Sequence, residues 1–77
     1  MQAGDRVYYL YTDSSGNQIK YAAVVLDTGA DGILLRIGRY DVDTREIKTF
    51  ESRVDAASLE PRSIPCSYED ALEARPD

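Results

Sequence analysis

The residues best equipped for chemistry in this chain are aromatic rings, guanidinium groups and carboxylates. Tyr21 and Tyr40 together with Tyr8 or Tyr11, and with Asp41 next to Tyr40, have the composition of a cage for a methylated ammonium group. Ring faces attract a cation and a carboxylate completes the site. The same tyrosines could flank an extended peptide lying in a groove. They could also serve only as strand formers, divided between core and sheet surface. Arg36, Arg39, Arg45, Lys48 and Arg53, interleaved with Tyr40 and Phe50, have the makings of a single-strand nucleic-acid platform. Asp41, Asp43, Glu46 and Glu51 lie among them and oppose that use. The candidate binding set is therefore Tyr8, Tyr11, Tyr21, Arg39, Tyr40 and Asp41.

Other chemistry is poorly supplied. Asp41-Val42-Asp43-Thr44-Arg45-Glu46 alternates carboxylates as calcium loops do, but Arg45 holds the fifth position and the glycine of the sixth is missing. The stretch reads as a solvated hairpin tip, and no metal or other cofactor is expected. The chain has no histidine, which excludes Ser-His and Cys-His nucleophiles, His-ligated zinc and imidazole acid–base steps. Cys66 is the one cysteine, so no internal disulfide forms. A lone thiol suits a reducing cytoplasm, and a small apolar role is expected for it.

Size and charge narrow the classes further. The 77 residues fill one small domain with a single core. No run approaches the ~20 apolar residues that span a bilayer, and the first residues lack the basic-then-apolar layout of a secretory signal. The net charge of −5 disfavours sequence-independent attraction to a phosphate backbone. Acid is in excess toward both ends, and the middle is neutral and arginine-rich.

The elements that must position these groups are short strands. Residues 5–12 are aromatic and β-branched, with Val7, Tyr9 and Tyr11 on one face. A dense run of turn formers follows at 13–17. Residues 19–27 are almost continuously apolar after Tyr21, as in a strand covered on both sides, and self-association through 21–27 is a natural expectation. Thr28 to Gly32 is the next turn. Residues 33–42 alternate with Ile33, Leu35 and Ile37 inward, and Gly38 suggests a bulge or sharp bend. Residues 46–54 alternate imperfectly, which suggests a second bulge. A 3-10 turn at 55–58 leads to a very short last strand ended by Pro61. Val7, Tyr9, Val25, Ile33, Leu35, Ile37, Phe50 and Leu59 are the expected core.

Past Pro61 the chain becomes extended. Ser67 then has the place of an N-cap, with Asp70 three residues on. Tyr68, Ala71, Leu72 and Arg75 form an apolar-led stripe on a helix over 67–75. So short a helix persists only when docked, through Tyr68 and Leu72.

This layout resembles SH3-like and Tudor-like small barrels over residues 4–62. Gly4-Asp5-Arg6-Val7 leads into strand one, and Val54-Asp55-Ala56-Ala57-Ser58-Leu59-Glu60-Pro61 closes the set. The resemblance implies a mainly β fold: a five-stranded SH3-like small barrel with a 3-10 turn before the last strand and a short C-terminal helix. Residues 1–62 would be the barrel, and 63–77 an extended segment and amphipathic helix packed on it. Small size, this fold pattern, the aromatic residues and the absence of a complete catalytic set together point to a non-catalytic module binding a protein or peptide, as monomer or homodimer.

A second, local resemblance suggests another class. Leu26-Asp27-Thr28-Gly29-Ala30-Asp31 resembles the active-site loop of retroviral-type aspartic proteases. There Asp27 would pair with its copy across a dimer axis, the two carboxylates sharing a proton. The span from Asp27 to Ile37-Gly38-Arg39 leaves no room for a covering hairpin, however, and Asp-Thr-Gly also starts an ordinary β-turn. The expected class is therefore an interaction module rather than an enzyme. A nucleic-acid binder using Arg36, Arg39 and Arg53, or a protease using Asp27, would be the alternatives.

Overall fold

The structure, a computed structural model, describes residues 1–73. Five antiparallel strands form one sheet: β1 (Arg6–Thr12), β2 (Gln18–Gly29), β3 (Gly32–Asp41), β4 (Glu46–Val54) and β5 (Leu59–Pro61), in the order β4-β3-β2-β1-β5. A single 3-10 turn, Ala56–Ser58, joins β4 to β5. A short helix, α1 (Glu69–Glu73), ends the described chain. The fold is thus mainly β, as its β-branched and aromatic runs dictate. The sheet is not closed, and β4 and β5 are its edges.

The turns follow their residue chemistry. Asp13 Oδ1 accepts the backbone N–H groups of Ser15 and Asn17, both at 2.9 Å, and Gly16 takes a φ of 85°. These Asx-type bonds replace ladder bonds where the chain reverses. In the β2–β3 hairpin Gly29 lies opposite Gly32, which takes a φ of 112°. Asp27, Thr28 and Gly29 therefore belong to β2 itself, and the reversal is confined to Ala30 and Asp31.

One bulge is present, and it is not where alternation suggested. The β2–β3 register slips between Val25 and Asp27, leaving Leu26 as the extra residue. The β3–β4 register runs unbroken from Ile33↔Val54 to Asp41↔Glu46, so neither Gly38 nor β4 carries the expected bulge. The imperfect alternation of β4 instead reflects its position at an edge, where most of its side chains meet solvent.

The core lies on one face of the sheet. Val7, Ala23, Val25, Ile33, Leu35 and Ile37 are buried there, with Tyr9, Tyr21, Val54 and Leu59 packed against them. Phe50 was expected among them but is 45% exposed. It lies opposite Ile37, on the edge strand, where no neighbouring strand covers its outer side.

The opposite face of β2 is covered too. Ala22 and Val24 are buried beneath Leu72, with Cys66 and Tyr68 alongside. All four residues from Ala22 to Val25 are thus buried, which accounts for the unbroken apolar run. β2 is central in the sheet, so residues 21–27 offer no free edge for self-association. The expected helix over 67–75 is observed from Glu69 to Glu73, and Arg75 lies outside the described residues.

Gly38 makes this second layer possible. A Cβ there would lie 2.6 Å from Tyr68 Cε2 and 2.9 Å from Leu72 Cδ2. Its mid-strand place is explained by close approach of the tail rather than by a bend. Gly38→Val should destabilise the protein by roughly 1–3 kcal/mol through overpacking. Chemical denaturation checks this, and limited proteolysis should show earlier cleavage in 63–73. Unchanged stability and cleavage would mean that the tail does not rest on β3.

Candidate functional site

Strand parity divides the six candidate residues between two faces. Tyr9 lies directly opposite Tyr21, and Tyr11 opposite Ile19, all on the core face of β1 and β2. Arg39 follows Ile37 by two residues and shares that face. Tyr11, Tyr21 and Arg39 are therefore brought to one side, where the core face runs out toward solvent. Tyr11 is 44% exposed and Tyr21 is half-buried.

Tyr8 and Tyr40 occupy the other face. The ring of Tyr8 has Lys20 Nζ 5.7 Å and the Arg62 guanidinium carbon 5.9 Å from its centroid. Its π face already meets cations of the chain itself. Tyr40, on β3, is exposed opposite Ile47. With Tyr21 on one face and Tyr40 on the other, neither Tyr8 nor Tyr11 completes a converging ammonium cage.

Asp41 is occupied with the hairpin tip. Its Oδ1 accepts the N–H of Asp43 at 2.9 Å and of Thr44 at 3.3 Å, and its Oδ2 meets Lys48 Nζ at 3.0 Å. Lys48 first, then those two N–H groups, hold its carboxyl below the usual aspartate range. Arg45 takes the left-handed φ of 58° that completes the reversal. No group of three or more carboxylate or thiol ligands is placed to hold a metal ion among the described residues.

The arginines also separate. Arg36 is half-buried on the tail side, donating from Nη1 to the Leu72 carbonyl at 3.2 Å, with Nη2 3.7 Å from Glu51. Arg53 shares that side, opposite Leu34, whereas Arg39 lies on the core side. Asp27 is exposed on β2, opposite Leu34.

The strongest polar cluster was missed by sequence reading. Arg62 is 4% exposed, and Glu69 is 7% exposed. The guanidinium clasps the Glu69 carboxylate with both terminal nitrogens, Nη1 to Oε1 and Nη2 to Oε2, the latter at 3.0 Å. It also donates to the Val7 carbonyl (3.1 Å), the Ala23 carbonyl (2.9 Å) and the Ile64 carbonyl (3.5 Å). Val7 and Ala23 face each other across β1 and β2, so one side chain ties two strands to the tail. Glu69 Oε1 further accepts the Cys66 N–H at 3.3 Å and meets Arg6 Nε at 3.5 Å. That is half of a capping box, made one residue earlier than the Ser67–Asp70 spacing suggested. The one signal in the sequence was a glutamate two residues after the candidate cap Ser67, and nothing marked Arg62 as its partner.

Tyr9 and Ile19 were likewise absent from the candidate set. The face shared by Val7, Tyr9 and Tyr11 was visible in the alternation, but the register that sets Ile19 beside Tyr11 was not. No family model, curated protein or solved structure matches this chain. No helix among the described residues is long and apolar enough to cross a membrane.

The clasp makes stability depend on acid. The Arg62 hydrogen bond holds the Glu69 carboxyl below the ordinary glutamate value. A depressed value contributes stability above the pKa of the unfolded chain, and that contribution is lost as pH falls through the folded value. Asp41 acts in the same direction from its exposed hairpin. Glu69→Ala should lose about 3–5 kcal/mol at neutral pH, because it strands a buried guanidinium. The pair Arg62→Met with Glu69→Leu should recover most of that loss and flatten the fall below the glutamate range. Thermal melts from neutral to acid pH decide it, and a single variant as stable as wild type would show that the clasp is not structural.

Proposed function

We propose that this chain is a non-catalytic SH3-like interaction module that binds an extended segment of a partner protein. Strand order β4-β3-β2-β1-β5, with a 3-10 turn leading into a very short β5, supports the SH3-like reading. Fold alone says little about activity, so the functional reading rests on the aromatic row.

The observation that carries it is Tyr9, Tyr11, Ile19 and Tyr21 meeting on one face with Tyr11 44% exposed. Tyr9 and Tyr21 are packed against the core on one side and half-exposed on the other. Rings braced in this way have little conformational freedom left to lose on binding, which favours affinity. Tyrosine and arginine are also the residue types that dominate interface energetics. Arg39, exposed on the same face, suits a carboxylate on the partner segment. The partner would therefore be an extended segment with apolar side chains and an acidic residue.

Panning a random peptide library over the immobilised protein tests the reading. Selected peptides should share apolar and acidic positions. Tyr11→Ala should weaken their binding by about tenfold, equivalent to ~1.4 kcal/mol, and Arg39→Ala should weaken only those carrying the acid. Enrichment of no peptide, or affinities unchanged in both variants, would count against the module.

A further inference from the structure

The two edges of the sheet are unequal. β5 spans only Leu59–Pro61. Arg62 N donates to the Arg6 carbonyl, so Pro61, one residue earlier, turns its ring nitrogen away from β1 and presents no N–H to an incoming strand. This edge is short and blunted, as sheets that must stay unpaired require. β4 is different. It runs nine residues, Glu46–Val54, without proline or bulge, and is paired along its whole inner side with β3. Its outer side leaves a row of backbone donors and acceptors, and Phe50 stands 45% exposed at its centre.

We propose that β4 is a homodimer interface, at which a second copy of this chain adds its own β4 antiparallel and extends the sheet across a two-fold axis at Phe50. Symmetry restricts how this can happen. A two-fold axis perpendicular to a continuous sheet keeps like faces together, so each residue pairs with one of its own parity. Full overlap of Glu46–Val54 then sets Phe50 opposite Phe50.

In that register Glu46 meets Val54, Lys48 meets Ser52, Thr49 meets Glu51 and Ile47 meets Arg53. No like charges are directly opposed, and the exposed aromatic ring is covered by its own copy. Sliding by one symmetric step, so that Glu51 sits on the axis, places two carboxylates face to face. Sliding to an axis at Lys48 opposes two ammonium groups. An axis at Thr49 opposes no like charges but pairs only 46–52, so the full-length register is the longest one that the charges of β4 leave open. A foreign strand has no such reason to match the sequence of this edge.

Sedimentation equilibrium of the full chain over a wide concentration range reads the association directly. The wild type should dimerise, and Phe50→Lys should weaken dimerisation by about tenfold or more while leaving the far-ultraviolet dichroism of the monomer unchanged. Register is read by crosslinking in a Cys66→Ser background. Phe50→Cys should form an intermolecular disulfide on mild oxidation, and Ser52→Cys should not. A wild type that stays monomeric at millimolar concentration would overturn the proposal, including the case in which β4 serves only foreign strands. A dimer that survives Phe50→Lys, or that crosslinks through position 52 rather than 50, would overturn it equally.

Discussion

Everything on the tail side of this protein depends on one guanidinium. Arg62 leaves the end of β5 and turns inward, and its five N–H groups find two sheet carbonyls, one tail carbonyl and both oxygens of Glu69. Burying an isolated charge would be prohibitive. Burying this one is tolerable because no donor is stranded and its partner carries the opposite charge. Arginine suits the role better than lysine, since its planar fork can hold a carboxylate and reach flanking carbonyls together. Glu69 is also fixed from a second direction by the Cys66 N–H and by Arg6, so the clasp defines where the tail must lie.

That constraint explains the composition beneath the tail. Once Glu69 is anchored, Leu72 falls one turn further along and is fully buried over Ala22 and Val24. The sheet there has to be low. Alanine at 22 and glycine at 38 remove the side chains that would hold Tyr68 and Leu72 away. A five-residue helix has no stability of its own, and here it needs none, because the ion pair and the apolar seat act at successive turns. Arg36 closes the far end by donating to the Leu72 carbonyl, one of the helix-end acceptors that the short ladder leaves unpaired.

Much of the fold could be read from the chain, and the failures have physical causes. Alternation in 5–12 and 33–37 assigned faces correctly, and the apolar run at 22–26 announced a strand covered on both sides. Turn chemistry placed the reversals at Asp13–Asn17 and after Asp41. Gly38 was misread because a glycine in a strand serves either a bend or a close approach, and only the position of the tail distinguishes them. Phe50 was misread because periodicity gives the face of a side chain, not whether its strand is central or at an edge. The site was harder still. A cage needs rings on one face, yet adjacent positions such as Tyr8 and Tyr9 necessarily point to opposite sides. The Arg62–Glu69 clasp was invisible because two charged residues seven apart look like any solvated pair until the chain between them is known to fold back.

The same division of faces accounts for where binding is left possible. The tail occupies the side of the sheet that carries Tyr8, and its own arginine and Lys20 take the faces of that ring. What remains uncovered is the outer part of the core side, where Tyr11, Tyr21 and Arg39 sit, and the long edge of β4. These two regions share a face through Phe50, which lies opposite Ile37 in the core. A second copy added at β4 would lengthen that face rather than obscure it, since an added strand continues the sheet sideways and leaves β1 and β2 untouched. The aromatic rows of the two copies would then lie on the same side of one sheet. A partner carrying two suitable segments could engage both rows, and linkage would raise its avidity without any new contact.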